Sequence, residues 1–186
     1  MSKVRIGLAG LGRLGKEYAE NIQYKSHNAE LITVCSIVKD ELAYAKNKLG
    51  VKMCFSSFEE MIEKSNLDAV VILTPTKYHA KQIIFSLKKG LHVFSEKPLA
   101  ISIEDCLKAE TEAKKNPDLI SCIGFVRRYD DSYMDAKKAI ENNKIGDTFF
   151  VRSQTVDKDT WAPFQVNFVK SGGGIFHDFN VHDADL

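Results

Sequence analysis

Three short stretches carry side chains whose types and spacing suit chemistry. Asp178 and His182 stand four positions apart. On a helix they share a face, so the carboxylate can orient the imidazole, and a histidine held this way can take a proton from a hydroxyl as hydride leaves the carbon. The plain alternative is an acidic helix start beside a histidine that only packs. In Glu96-Lys97-Pro98, the lysine can donate hydrogen bonds to a hydroxyl and stabilise developing negative charge, and a cis bond at Pro98 would aim it. Here the alternative is a surface turn with a solvated charge pair. The third stretch, Gly10-Leu11-Gly12-Arg13-Leu14-Gly15, follows an apolar run and opens a helical pattern. That context makes a G-x-G-x-x-G match a dinucleotide-binding candidate rather than a glycine-rich turn alone. Gly10 permits the tight turn, Gly12 lets backbone approach a pyrophosphate, and Gly15 lets helix pack on strand. A P-loop is set aside, because Glu17 follows Lys16 where a hydroxyl for Mg²⁺ is required.

The elements that must position these residues alternate. Strands are expected at 4–9, 30–37, 51–55, 68–74, 92–95 and 119–125, with helices at 13–24, 40–49, from Ser57 onward, 78–89 and from Ser102 onward. Such alternation implies a doubly wound parallel sheet, a Rossmann dinucleotide-binding domain over residues 1–125. Ligands of such sheets bind beyond the carboxyl ends of the strands. That rule selects Gly10–Gly15, Ser36–Lys39, Thr74–His79, Ser95–Pro98 and Phe125–Arg128. On the fifth helix Ile103, Cys106 and Leu107 are expected inward. After Phe125 the pattern changes to a helix over 131–142 with Tyr133, Ala136 and Ile140 inward, an alternating strand over 148–156, and an irregular aromatic stretch to Lys170. Residues 126–186 read as the start of an α+β substrate and oligomerisation domain that is cut short, since one strand cannot form a sheet alone.

Composition excludes several classes. The 186 residues carry 26 Lys and Arg against 25 Asp and Glu, with no basic stripe for nucleic acid or an anionic membrane. No signal-peptide pattern or membrane-length apolar run is present. Cys35, Cys54, Cys106 and Cys122 form no C-x-x-C pair and fit free thiols, so a cytoplasmic location is expected. The doublets His177-Asp178 and His182-Asp183 admit a metal reading, which would need further ligands on surrounding helices; no metal is assigned. Arg127 sits where it could bind a polar substrate or order the site.

Taken in order and spacing, the Gly10–Gly15 run, Glu96-Lys97-Pro98 and Asp178-x-x-x-His182-Asp183 resemble the Gfo/Idh/MocA oxidoreductases. The run Gly124-Phe125-Val126-Arg127-Arg128-Tyr129-Asp130 is similar to the inositol 2-dehydrogenase branch. The resemblance spans essentially the whole chain. It implies an NAD(P)-dependent dehydrogenase that oxidises a hydroxyl of a cyclic polyol or sugar to a ketone by hydride transfer to nicotinamide. By the same resemblance, Lys97 and Asp178 position and polarise the hydroxyl, and His182 is the general base. Glu96 lies by the nicotinamide ribose, and Thr74, Pro75 and His79 line the cofactor channel. The other candidate cofactor contacts are Gly10, Gly12, Arg13, Leu14, Gly15 and Ser36; Arg127 and Asp157 are the substrate candidates. Full-length members often self-associate through a large sheet, so a homo-oligomer is expected. The alternative is a dinucleotide-binding sensor without turnover, or an inactive fragment of such an enzyme.

Two departures qualify the resemblance. Many members place an acid after the second strand to hold the adenosine ribose, and Ser36 stands there instead. A carboxylate would repel a 2′-phosphate, whereas Ser36 with Arg13 and Lys39 could accept one, so NADP is expected to be tolerated or preferred. The stretch from Gln154 to Phe164, with Thr155 and Asp157, lacks the histidine associated with some inositol dehydrogenases, which leaves the particular polyol open.

Overall fold

A computed structural model describes residues 2–156 and 172–186. The chain divides into two compact units, Met1–Ile123 and Gly124–Leu186.

In the first unit, six parallel strands run β1 (Val4–Ala9), β2 (Ala29–Cys35), β3 (Met53–Phe55), β4 (Ala69–Ile72), β5 (His92–Ser95) and β6 (Ser121–Ile123), ordered β3-β2-β1-β4-β5-β6. The helices between them are α1 (Arg13–Glu20), α2 (Lys39–Asn47), α3 (Phe58–Lys64), α4 (His79–Lys88) and α5 (Ile103–Lys115). The doubly wound sheet of the sequence reading is therefore observed. Strand order reverses between β1 and β4, which is where such sheets open a ligand crevice.

Helices cover both faces, so the central strands are apolar on both sides rather than alternating. Leu8, Val34 and Val71 face one core with Leu11, Ala19, Ala45 and Leu49, while Ala9, Val70, Ile72 and Val93 face the other with Met61, Ile83, Leu87 and Ala109. Local signals set the helix starts. The Ser57 hydroxyl accepts from Glu60 N–H at 3.3 Å and that of Ser102 from Asp105 N–H at 3.1 Å, the N-cap contacts those residues supply. Arg5 and Asp68 fasten β1 to the approach of β4 through a salt bridge of 2.6 Å and a backbone bond from Arg5 N–H of 2.8 Å. All four cysteines are free, and burial pushes the Cys35 thiol up to about 11, which keeps it protonated.

Several local expectations need correction. Strands β3, β4 and β6 are shorter than their apolar runs, and α1 passes into a π-helical turn over Asn21–Lys25. On α5, Ile103 and Leu107 face outward, while Ala109 and Glu112 are the buried positions. Small residues let α5 approach its neighbours closely, and Ala80, Ala100 and Ala109 lie in one core cluster.

The second unit contains a 3-10 turn (Val126–Tyr129), α6 (Asp131–Glu141), a π-helical segment (Phe176–Asn180) and α7 (Val181–Asp185). The strand expected over 148–156 is not formed. Its residues make no ladder, and Phe149 is 99% exposed. Alternation supplies a face, but a strand exists only with a hydrogen-bonding neighbour, and none occurs among the described residues. For the same reason Tyr133, Ala136 and Ile140 of α6 are exposed rather than inward.

Candidate active site

Backbone hydrogen bonds gather the ends of the central strands into one row. Gly10 N–H donates to Cys35 O at 2.9 Å, Leu73 N–H to Ala9 O at 2.7 Å, and Glu96 N–H to Ile72 O at 2.9 Å. The glycine turn, Ser36, Thr74 and Glu96-Lys97-Pro98 thus lie along one edge of the sheet.

The glycine turn has the shape an anion requires. Gly10 has φ +90°, and a Cβ there would lie 2.5 Å from Leu73 O; a Cβ on Gly15 would lie 2.0 Å from Gly10 O. Both positions are closed to any side chain. Gly12 differs: a Cβ there would meet nothing within 4 Å, so backbone faces open space. Gly12 is the N-cap of α1, and neither a side-chain cap nor an acidic residue occupies the first turn. The positive end of α1 is left for an external anion, so the residues fit a dinucleotide pyrophosphate. Arg13 is exposed and Leu14 half-buried at this turn.

Glu96 is more constrained than the sequence suggests. Its Oε1 accepts from the Tyr18 hydroxyl at 2.7 Å, and its Oε2 from Lys97 N–H at 3.2 Å. Tyr18 packs against Phe94 with ring centroids 5.7 Å apart and planes tilted by 40°; its burial, then its bond to Glu96, raises the phenol further above its ordinary range. The sequence marks Tyr18 only as part of α1's apolar stripe, since its spacing gives no sign of the hydroxyl's partner.

The Lys97–Pro98 peptide is cis, as the sequence reading anticipates. His79 lies beneath it, 2% exposed, with Nδ1 2.9 Å from Pro98 O and Nε2 2.5 Å from Thr74 O. The Thr74 hydroxyl donates to Gln82 Oε1 at 2.5 Å, while Pro75 is exposed. The resemblance has His79 line the cofactor channel; in the structure it is a buried clamp between two site turns. Replacing His79 with Ala leaves two inward carbonyls and a void, and is expected to cost about 2–4 kcal/mol. Denaturant unfolding checks this; a loss below about 0.5 kcal/mol, the range of a neutral surface change, would contradict the clamp.

Ser36 follows β2 in this row. It is 6% exposed, its hydroxyl donates to Glu41 Oε2, and its Oγ accepts from Val38 N–H at 3.1 Å. Glu41 lies in the first turn of α2, where the sequence marks an acid only as a helix-start residue.

In the second unit, Arg127 and Arg128 reach the terminal helix. Arg127 binds Asp183 Oδ1 at 2.6 Å and Thr155 Oγ1 at 2.6 Å, and Arg128 binds Asp185. Arg127 thus ties the 3-10 turn to α7. Asp178 stands in the π-helical segment and His182 in α7, whose ring meets that of Phe125 edge-on at 6.5 Å. The helical placement of the pair follows the sequence reading, although the π-helical segment alters the simple four-residue spacing. Asp157 lies outside the described residues. Among the described residues no group of three or more His, Cys, Asp or Glu could hold a metal ion.

Asp183 is the hub that sequence spacing does not reveal. The Ser153 hydroxyl, then Arg127 and Thr155, lower its carboxyl to about 2. A depressed carboxyl stabilises the fold above its ordinary 3.8, and that contribution is lost as pH falls from 3.8 toward about 2. The protection of amides across Val181–Asp185, relative to intrinsic exchange at each pH, is expected to fall through that interval, and Asp183→Asn to abolish the acid-dependent step. A step that persists in Asp183→Asn would contradict this assignment.

Comparison with known proteins agrees with this construction. Residues 4–123 match the Gfo/Idh/MocA family, described as an oxidoreductase family of NAD-binding Rossmann fold. The chain is 36% identical over 184 residues to scyllo-inositol 2-dehydrogenase (NAD(+)) of Bacillus subtilis, covering 99% of this chain and 53% of that protein. It is 37% identical to myo-inositol 2-dehydrogenase of Thermotoga maritima, covering 98% and 53%. The crystal structure of scyllo-inositol dehydrogenase from Lactobacillus casei with bound NAD(H) and scyllo-inositol matches with TM-score 0.93 and 40% identity, covering 99% of this chain and 55% of that one. The chain spans about half the length of the curated relatives it matches. No helix among the described residues is long and apolar enough to cross a membrane. The family match and the glycine cradle at the sheet edge lead to one conclusion: the chain belongs to the Gfo/Idh/MocA oxidoreductases, with an NAD-binding Rossmann fold.

Proposed function

We propose that the protein carrying this chain is an NAD-dependent dehydrogenase that oxidises a ring hydroxyl of a cyclic polyol to a ketone. The observation that carries this reading is the cradle at Gly12, open in front and uncapped at α1, on the same sheet edge as Glu96-Lys97-Pro98. Bound NAD would supply the hydride acceptor. The Gly10–Gly15 turn and the α1 N-terminus would hold its pyrophosphate, and Glu96, fixed by Tyr18, would meet the nicotinamide ribose. Lys97 would donate to the reacting hydroxyl and stabilise negative charge on its oxygen. His182 would take the hydroxyl proton, its imidazole oriented by Asp178. In the second unit, Arg127 keeps α7 in place through Asp183. The similarity to inositol dehydrogenases supports a small cyclic polyol as substrate and, for the whole protein, self-association.

The finer cofactor question is the 2′-phosphate. Arg13 and Lys39 favour accepting it, while the carboxylate held by Ser36 opposes it, so NADP is a weaker ligand than NAD in this reading. The test mixes NAD, the protein expressed from its whole gene, and a panel including scyllo- and myo-inositol, and follows absorbance of the reduced nicotinamide. Reduction with at least one cyclic polyol is expected. Tight NAD binding with no reduction across the panel would favour a sensor instead.

A further inference from the structure

We infer that Glu41, steered by Ser36, supplies the carboxylate that receives the adenosine ribose hydroxyls and makes the site select NAD over NADP. The inference rests on the dinucleotide reading above and adds a specificity residue to it.

The number of donors limits what Ser36 can hold. A serine hydroxyl has one hydrogen to give. In Ser36 that hydrogen is committed to Glu41 Oε2, and the lone pairs of Oγ face Val38 N–H. Ser36 therefore has no donor left for a phosphate, which is an acceptor under these conditions. Its 6% exposure also removes it from direct reach of a large ligand. The carboxylate at this corner is that of half-exposed Glu41, beside the more exposed Ile37 and Val38.

The corner is where the ribose belongs. Ser36 directly follows Cys35, whose carbonyl accepts from Gly10 N–H of the pyrophosphate turn. In a doubly wound sheet the acid at the end of the second strand accepts hydrogen bonds from the ribose diol. This chain keeps the acid but moves it to α2, five residues on, and uses a serine as its tether. Among the described residues Ser36 is the only hydrogen-bond partner of Glu41, which leaves Oε1 for a ribose hydroxyl. A 2′-phosphate at the same place would put like charges together, against the attraction of Arg13 and Lys39.

The test is calorimetric titration of the protein with NAD and with NADP, which needs no turnover. Wild type is expected to bind NAD about tenfold or more tightly than NADP, the scale of a hydrogen bond to a charged group. Glu41→Gln should bring the two within about threefold, and Glu41→Lys should reverse their order. Thermal melting of each variant confirms the fold, and the half-exposed helix-start position makes two independent substitutions practical. Equal or tighter NADP binding by wild type overturns the inference. So does an unchanged NAD to NADP ratio in both folded variants. If wild type binds neither nucleotide, the dinucleotide reading itself fails, a result distinct from a specificity that ignores Glu41.

Discussion

Replacing Lys97 with Met is expected to lower turnover about a hundred- to ten-thousandfold while leaving NAD affinity within about twofold. Methionine keeps the length and apolar stem of lysine and removes only the charged donor. The backbone around it should hold, because its anchors lie on other residues. Glu96 N–H donates to Ile72 O, Tyr18 holds the Glu96 carboxylate, and His79 holds Pro98 O. A loss confined to kcat would place Lys97 on the reacting oxygen. A loss confined to KM would make it a binding contact made equally in ground and transition states. An unchanged rate would remove it from the mechanism.

The second large effect separates two glycines that the motif treats alike. Gly15→Ala is expected to destabilise the first unit by about 3 kcal/mol or more and to abolish dinucleotide binding. Its Cβ would stand 2.0 Å from Gly10 O, backbone against backbone, so the turn itself must move. Gly12→Ala is expected to melt like wild type, since its Cβ meets nothing within 4 Å and its φ of −67° suits any residue. Yet it should weaken NAD binding about tenfold or more, because the methyl group takes the space through which pyrophosphate reaches the backbone. Melting and titration of both variants check the pair. If Gly12→Ala binds NAD as wild type does, the pyrophosphate does not lie over Gly12.

How much of this was legible in the sequence follows from what each signal depends on. The parallel sheet was legible because its strands are apolar on both faces and its helices carry their own caps at Ser57 and Ser102. The cis bond at Pro98 was legible from its place after a strand. Contacts between distant side chains were not. Nothing in the spacing of Tyr18 and Glu96, or of Arg127 and Asp183, predicts their meeting, which the packed fold alone decides. Ser36 shows the same limit more sharply. Read alone it argues for a 2′-phosphate, and nothing in its spacing shows that its hydroxyl is engaged by Glu41. The strand expected over 148–156 failed for a different reason: alternation describes a face, and pairing needs a neighbour. On α5, Ile103 and Leu107 lie outward because close helix packing there selects small residues.

Hydride transfer from a cyclic polyol to NAD can be followed by isotope. The protein expressed from its whole gene is given NAD and scyllo- or myo-inositol deuterated at the ring carbons, and the reduced nicotinamide is analysed by mass. Reduced cofactor carrying a deuterium is expected, in step with formation of the ketone. Reduced cofactor without the label, formed alongside the ketone, would contradict that transfer.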